Sequence, residues 1–118
     1  METPYIDGDI IENSFKGEWT LSKMQANLAK LRFLFEKQRE ANKKILLLLD
    51  ITDLKTHTAD VRREGVIWMR ENEFDKFAIF GGDTFLKYVS NLIITATGKV
   101  TRMRYFTSRD EALNWLRS

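Results

Sequence analysis

The sequence contains no cysteine, one histidine and one proline in 118 residues. Without cysteine the chain has no disulfide, no thiolate metal site and no thiol nucleophile, as is usual for proteins of a reducing cytoplasm. A lone histidine lacks the spacing of a recognised metal site, and no G-x-S-x-G motif marks a catalytic serine. We therefore predict no metal, no cofactor and no enzymatic activity, while an enzyme that uses only carboxylates stays open.

A long hydrophobic run is also missing. The longest apolar run, residues 45–51, is interrupted by Asp50, whereas a membrane-spanning helix needs roughly 20 apolar residues. The opening residues, METPYIDGD, carry acidic groups where a secretion signal carries basic ones, and no apolar stretch of the required length follows. We expect a cytoplasmic protein without a transmembrane segment.

The chain also has no large excess of charge of one sign. It contains 19 lysines and arginines and 17 acidic residues, for a net charge of +2. Arg102, Arg104 and Arg109 flank Tyr105 and Phe106, a combination of basic and aromatic groups that RNA-binding strands use. The same alternation describes any half-exposed strand, and the balanced charge gives no polyanion-binding footprint. We favour a solvated strand face and predict no nucleic-acid partner.

No repeat, linker or low-complexity segment divides the chain, so residues 1–118 are predicted to form one domain. Asp7-Gly8 between β-prone residues indicates an antiparallel hairpin with a type I′ turn. Residues 44–49 form an apolar strand of the kind buried in a parallel sheet, and residues 50–57 form a polar loop after it. Between hairpin and strand, a long first helix capped by Thr20 or Ser22 is predicted from apolar residues at helical spacing: Leu21, Met24, Leu28, Leu31 and Phe35.

The second half of the chain alternates helices with two further strands. Thr58 is positioned to cap a second helix, and residues 76–80 and 100–106 are predicted strands. Gly98 is placed to end the third helix, and Ser108 begins a capping box before the fourth. The residues predicted to face inward are Val61, Gly65, Trp68 and Met69 in the second helix, Phe85, Val89, Leu92, Ile93 and Ala96 in the third, and Ala112, Leu113, Trp115 and Leu116 in the fourth.

The predicted order of elements is β-β-α-β-α-β-α-β-α. Helices that link apolar strands favour right-handed crossovers, so we predict an α/β fold with a mostly parallel central sheet and an antiparallel N-terminal hairpin. In such sheets, ligand crevices form at the carboxyl ends of the strands. The loops that follow the strands are therefore the first candidates for function.

Acidic residues and the single histidine gather after the central strand. Asp50, Asp53, His57 and Asp60 lie in or beside the loop at the carboxyl end of that strand. Three carboxylates and an imidazole could hold a cation or a small ligand there. We favour a structural interpretation, because aspartate is common in turns and at helix starts and the spacing matches no known metal site.

A second candidate is Gly81-Gly82-Asp83, which follows the next strand and precedes the third helix. Exposed backbone N–H groups at a helix start can bind an anion. The segment lacks the lysine and the spacing of a phosphate-binding loop, and the G-x-G-x-x-G motif is absent. We favour a tight strand-to-helix turn and keep an anion-binding loop as the alternative.

The three tryptophans are expected in the core. Trp68 and Trp115 lie at helical spacing among other apolar residues. Trp19 precedes the first helix among charged residues, so contact with a partner is the alternative to core packing there.

Four stretches, in order, cover nearly the whole chain: IDGDIIENSFKGEWT, KILLLLDITDL, KFAIFGGDTFLKYV and RYFTSRDEALNWL. Together they resemble the SpoIIAA-like, or STAS, family, small α/β domains named after bacterial anti-sigma-factor antagonists. The similarity is greatest to the branch labelled STAS/SEC14 or SpoIIAA-like. The resemblance implies the SpoIIAA-like fold and a non-enzymatic regulatory or interaction module in signalling, which in some relatives binds a nucleotide or a lipid.

The resemblance also implies where a phosphorylation switch would lie. Antagonist relatives carry an accepting serine at the start of the helix after the central strand, but here residues 57–61 read HTADV, with Ala59 at about that position. The usual phosphoserine switch is therefore not expected. Thr58 stays a minor candidate, since a phosphate there would lie at a helix N-terminus near Arg62 and Arg63. A simple N-cap role for Thr58 is favoured.

We therefore predict an interaction protein whose contact surface combines the loop after the central strand with the second helix. The alternative is a protein or enzyme that binds a nucleotide, a lipid or another anion at the carboxyl ends of the strands, recognisable by a deep apolar pocket there. A protein partner is expected, but the sequence identifies neither that partner nor the oligomeric state.

Overall fold

Strands and helices alternate along most of the structure, a computed structural model that describes residues 4–118. This alternation confirms the predicted α/β class. The elements in chain order are β1 (Tyr5–Asp7), β2 (Ile10–Ser14), β3 (Gly17–Trp19), α1 (Leu21–Glu40), β4 (Leu46–Asp50), β5 (Leu54–His57), α2 (Ala59–Glu71), β6 (Lys76–Phe80), α3 (Thr84–Thr97), β7 (Met103–Phe106) and α4 (Arg109–Leu116).

Five strands form the central sheet, in the order β1-β2-β4-β6-β7. Strands β2, β4, β6 and β7 run parallel to one another, and β1 is antiparallel to β2. The mostly parallel sheet with an N-terminal hairpin is as predicted. Strand β4 lies in the middle and is buried on both faces, because the helices that join parallel strands cover the sheet.

The two faces of the sheet carry separate cores. On one face, Leu47 and Leu49 of β4 pack with α1, α2 and α3. On the opposite face, Leu46 and Leu48 pack with α4. Successive residues of a strand point to opposite faces, so one continuous leucine run supplies both cores.

Two short strands, β3 and β5, were not predicted from the sequence, which indicated a lead-in segment and a polar loop at these places. They pair in parallel in a small second sheet, with Gly17 opposite Leu54 and Trp19 opposite His57. Each strand is short and mostly polar, so its local pattern is that of a loop. The pairing is a long-range event that places His57 beside a buried tryptophan.

The hairpin between β1 and β2 is present, but its turn differs from the prediction. Asp7 pairs with Ile10, so the two central residues are Gly8 and Asp9. Gly8 has φ of +63°, whereas Asp9 is not in the left-handed region. These φ signs fit a type II′ turn and exclude type I′, which needs positive φ at both central positions.

The inward face of α3 was predicted wrongly. Phe85 and Leu92 are 63% and 52% exposed, Ala96 is also exposed, and Val89 and Ile93 are half-buried. The residues that α3 buries are Leu86, Ser90, Ile94 and Thr97. Helical spacing does place the large apolar residues of α3 on one side, but the helix packs through the adjacent side, which includes the polar Ser90 and Thr97, so most of its apolar side stays on the surface.

The other helices face as predicted, and most of their ends have the expected caps. Thr20 and Ser108 accept backbone N–H groups at the starts of α1 and α4, and Gly98 ends α3 with φ of +74°. The capping box at α4 is only half formed, because the Glu111 carboxylate accepts from the Thr107 and Ser108 hydroxyls.

Two strand boundaries also shift. The central strand, predicted over residues 44–49, is observed as Leu46–Asp50. The last strand, predicted to begin at residue 100, begins at Met103, because the Lys99 carbonyl accepts the N–H groups of Arg102 and Met103 in a turn. Val100 is 60% exposed in this turn.

Candidate functional site

The loop after β4 is held by a side-chain hydrogen bond of its own and by backbone hydrogen bonds to β3 and β6. The Asp50 carboxylate accepts the Thr52 N–H at 2.8 Å, and the Ile51 N–H donates to the Phe80 carbonyl at 3.0 Å. The Asp53 carbonyl accepts the Gly17 N–H at 2.9 Å, while the Asp53 residue itself is exposed. Asp50 therefore forms a local turn of the kind aspartate favours.

Asp60 and Thr58 form a pair at the start of α2. Thr58 occupies the N-cap position, but its side chain accepts no helix N–H. A hydrogen bond with the Thr58 side chain, followed by one with its own backbone N–H, lowers the pKa of the exposed Asp60 carboxyl. Thr58 therefore occupies the predicted cap position without making the predicted side-chain hydrogen bond to the helix.

The acidic residues of the loop do not converge with His57. Within residues 4–118, no group of three or more histidine, cysteine or acidic side chains lies close enough together to hold a metal ion. Asp53 and Asp60 face solvent, and Asp50 is half-buried in its own turn.

His57 instead pairs with Arg62 across the end of β5 and the first turn of α2. An Arg62 guanidinium nitrogen lies 2.9 Å from His57 Nδ1. Burial first, and the Arg62 charge second, lower the pKa of the imidazole below its ordinary value. His57 is therefore mostly neutral at pH 7, and its Nδ1 can accept the guanidinium N–H.

An apolar cavity of about 90 Å³ lies between the sheet and helices α1, α2 and α3. We call it the inner cavity. Leu49 and Ile51 line it at the end of β4, Val61 and Met69 line it from α2, and Val89 lines it from α3. Its polar lining consists of three side chains, His57, Arg62 and Ser90, together with the indole of Trp19. The inner cavity therefore occupies the carboxyl ends of the strands, where the sequence places the alternative ligand site.

A wider depression of about 560 Å³ runs along the outer surface between α2 and α3. We call it the α2–α3 groove. Its most exposed apolar residues are Phe85 at 63%, Tyr88 at 62%, Leu92 at 52% and Ile67 at 40%. The sequence prediction missed the groove, because Phe85 and Leu92 were expected to face inward.

Three arginines line the groove, and no acidic residue does. Arg62 also lines the inner cavity, so the two spaces share a wall. Arg70 reaches from α2 to the Ala96 carbonyl of α3, with Nε at 3.0 Å and Nη2 at 2.5 Å. Arg63 is exposed along the rim. The groove therefore carries positive charge on its α2 side.

The Gly81-Gly82 turn lies against the loop after β4 and is packed tightly there. Gly81 has φ of +94°, and a Cβ at this position would lie 2.9 Å from the Thr52 backbone nitrogen. The Tyr105 hydroxyl donates to the Gly81 carbonyl at 2.5 Å, and Asp83 accepts the Leu86 N–H at 2.9 Å as the cap of α3. These contacts fit the strand-to-helix turn that the sequence favours.

The arginines near the C-terminus make contacts within the chain. Arg102 pairs with Glu73 at 3.2 Å, and Arg109 pairs with the buried Glu12 at 2.7 Å. Arg104 lies over the Phe106 ring at 5.4 Å. The basic and aromatic run is thus engaged in intramolecular contacts on the outside of the sheet.

A family model described as SpoIIAA-like matches residues 10–117. The chain belongs to the SpoIIAA-like family. This SpoIIAA-like protein is also similar to the crystal structure of an uncharacterised protein from Shewanella loihica PV-4, of the DUF3478 family with a SpoIIAA-like fold. The TM-score is 0.67 at 19% identity, over 96% of this chain and 90% of that one, so the likeness concerns the fold alone.

None of the curated proteins matches the chain. Among the helices within residues 4–118, none combines the length and the apolar character that crossing a membrane requires.

Proposed function

We propose that this SpoIIAA-like protein is a non-enzymatic interaction module that binds an acidic amphipathic helix of a partner protein in the α2–α3 groove. One observation carries the proposal: large apolar side chains stand exposed along the groove, and its charged lining is exclusively arginine. Contiguous exposed apolar surface with a polar rim is typical of interaction sites.

The shape of the groove supports a helical occupant. Phe85, Tyr88 and Leu92 are spaced by three and four residues, so they form one stripe along α3. A helix from a partner protein can pack into the groove between α2 and α3 by placing its side chains between those of the two helices. Burying one such side chain contributes about 1.5–3 kcal/mol, which makes the stripe the main source of affinity.

The charges of the groove support an acidic occupant. Arg62, Arg63 and Arg70 line the groove from α2, and no acidic residue lines it. A partner helix with carboxylates beside its apolar stripe would match this arrangement. Each exposed ion pair contributes only about 0–1 kcal/mol, so these charges act mainly by selecting the partner and its orientation.

This surface overlaps the contact surface expected from the sequence at Arg62 and Arg63. The other wall of the groove comes from α3 and not from the loop after β4. The proposal therefore keeps the second helix as a contact element and replaces the loop with α3.

The test compares three versions of the full chain as bait in extracts of the native cell: wild type, Phe85→Ser and Phe33→Ser. Phe33 is a matched control, because it is 60% exposed on α1, away from the groove. We expect a partner that wild type and Phe33→Ser retain and Phe85→Ser loses. Its binding segment, made as a peptide, should be an acidic amphipathic helix whose affinity falls at least tenfold with Phe85→Ser.

Three outcomes would contradict the proposal. The first is a partner that Phe85→Ser binds as well as wild type does. The second is a bound segment that is neither helical nor acidic. The third is binding of the wild-type groove to anionic lipid vesicles with no peptide partner at all, which would make the surface a membrane contact.

A further inference from the structure

The space under helices α1, α2 and α3 extends beyond the inner cavity. A second apolar space of about 40 Å³ lies next to it, and the two share six lining residues, among them Met24, Gly65 and Phe77. Close-packed protein interiors have few voids larger than a water molecule. Beneath these three helices the side chains of the protein therefore leave two adjoining apolar spaces unfilled.

Two buried hydrogen-bond donors belong to residues that line these spaces. Trp19 lines the inner cavity and Trp68 lines the second space. Their indole Nε1 groups are the buried side-chain nitrogen or oxygen atoms, within residues 4–118, that have no hydrogen-bond partner. Trp19 is 4% exposed and Trp68 is 7% exposed, so bulk solvent does not satisfy them. An unmade hydrogen bond in the interior is costly, and an occupant with an acceptor atom in the inner cavity could remove that cost for Trp19, while an aliphatic chain beside Trp68 would only change its surroundings.

Gly65 keeps the space open. It lies in the middle of α2 and lines both spaces. A Cβ there would make only ordinary contacts, 3.5 Å from Met24 Cε and 3.6 Å from Met69 Cε, and its φ is not in the left-handed region. Neither backbone conformation nor close packing therefore requires glycine, although glycine inside a helix is destabilising. Its structural effect is the volume that it leaves empty.

The polar lining of the inner cavity favours an acceptor group on the occupant. His57, Arg62 and Ser90 line it, and no aspartate or glutamate lines either space. The Arg62 guanidinium, 2.9 Å from His57 Nδ1, brings a positive charge to an otherwise apolar wall. A guanidinium binds carboxylate and phosphate groups with paired hydrogen bonds, and the small volume of the inner cavity favours the carboxylate.

We infer that the inner cavity and the adjoining space form a binding site for a small aliphatic carboxylate, with the chain in the apolar space and the carboxylate at Arg62. The size follows from the volume. An apolar cavity of roughly 150 Å³ holds benzene, so spaces of about 90 and 40 Å³ suit a chain of similar bulk. This site is distinct from the proposed docking of a helix, although Arg62 lines both.

The test is a titration of the full chain with hexanoate, followed by NMR of the three indole N–H groups. Each signal is assigned by changing one tryptophan to phenylalanine. We expect saturable shifts at Trp19 and Trp68. Trp115 is an internal control, because it packs against Phe106 on the opposite face of the sheet and should not move.

Variants separate the contributions. Gly65→Val fills the space and should weaken hexanoate binding at least tenfold, with Gly65→Ala giving a smaller loss if the valine variant does not fold. Arg62→Gln should weaken hexanoate about tenfold and leave the neutral probe hexan-1-ol unchanged. Arg32→Gln, at an exposed position of α1, should change neither affinity. Phe85→Ser should keep hexanoate binding, so that failure of the groove proposal and failure of this inference can be told apart.

The inference is overturned if hexanoate gives no saturable shift up to its solubility limit. It is equally overturned if Trp115 shifts together with the other two, or if the folded Gly65→Val and Gly65→Ala variants bind as tightly as wild type. If Arg62→Gln weakened the binding of hexanoate and of hexan-1-ol equally, Arg62 would not bind the carboxylate, and that part of the inference would be wrong.

Discussion

Gly65 and Gly81 have opposite structural roles. Gly65 lies inside α2, where a methyl group would meet only ordinary contacts. Gly81 adopts φ of +94° and lies against the backbone of Thr52. The first position tolerates a side chain and the second does not, because positive φ strains any residue with a Cβ.

Substitution by alanine should separate the two glycines. We expect Gly65→Ala to raise the free energy of unfolding by about 0.5–1 kcal/mol, since alanine has the higher helix propensity. We expect Gly81→Ala to lower it by at least about 1 kcal/mol, because of its φ and the approach of Thr52. Urea denaturation of both variants measures the two differences. A destabilised Gly65→Ala variant would show that the space beside α2 is not available to a methyl group.

His57 makes stability depend on pH in a defined direction. Its pKa in the folded state is lowered from 6.5, first by burial and second by Arg62. In this range the unfolded chain therefore binds more protons than the folded chain. The contribution of His57 is present above the unfolded pKa and is lost as the pH falls through the folded pKa.

We therefore expect the wild-type protein to lose stability between about pH 7 and pH 5 relative to His57→Gln, which keeps a polar side chain without the titration. Urea denaturation at a series of pH values measures the difference between the two curves. Parallel curves for the two proteins would show that the His57 pKa is not lowered by folding.

At the scale of elements, α3 shows where helical spacing is insufficient. Spacing gathers its large apolar residues on one side, yet the helix buries the adjacent side with Leu86, Ser90 and Ile94 and leaves Phe85 exposed. In α2, by contrast, the predicted inward positions Val61, Gly65 and Trp68 are buried, because charged residues mark the opposite side. Spacing identified the apolar side of both helices, but in α3 most of that side lies on the surface.

The corrected orientation of α3 predicts a sharp contrast between adjacent residues. Leu86→Ala should cost about 2–5 kcal/mol of unfolding free energy, as is usual for a buried leucine. Phe85→Ser should change it by no more than about 0.5 kcal/mol, as is usual for exposed positions. Urea denaturation compares them directly. If Phe85→Ser were the more destabilising change, the face assigned to α3 would be incorrect.

At the scale of the whole molecule, the same strands supply both cores. Trp68 belongs to the core under α1, α2 and α3, and Trp115 packs against the core under α4. Trp19 anchors a smaller cluster with Met24 and Val61. Since β4 contributes to the cores on both faces, loss of β4 from one core also removes it from the other.

We therefore expect unfolding in one cooperative transition. Variants that keep a single tryptophan, at position 19, 68 or 115, should each report whether its own cluster unfolds with the rest. Fluorescence and far-UV circular dichroism are followed in the same sample, so each variant is compared only with itself. The two unfolding midpoints should coincide for each variant. A fluorescence midpoint that precedes the circular dichroism midpoint in one variant would identify a cluster that opens on its own.

Some parts of the candidate site could be predicted from local sequence, and others depend on contacts between distant segments. The Gly81-Gly82 turn and the Asp50 turn were readable as turns, because glycine and aspartate have strong local preferences. The partnership of His57 with Arg62 and the burial of Trp19 depend on the pairing of β3 with β5. No local pattern predicted that pairing, because β3 and β5 lie far apart in the sequence.

The sequence by itself determined the α/β class, the parallel sheet with its N-terminal hairpin, and most helix positions. Apolar spacing, turn residues and caps act over a few residues and are therefore written locally. Only the tertiary structure decided which face of α3 is buried, that β3 pairs with β5, and that an apolar groove and an inner cavity share Arg62. Those features arise from the packing of segments that lie far apart in the sequence. There, volume and burial decide the arrangement, and local preferences do not determine it.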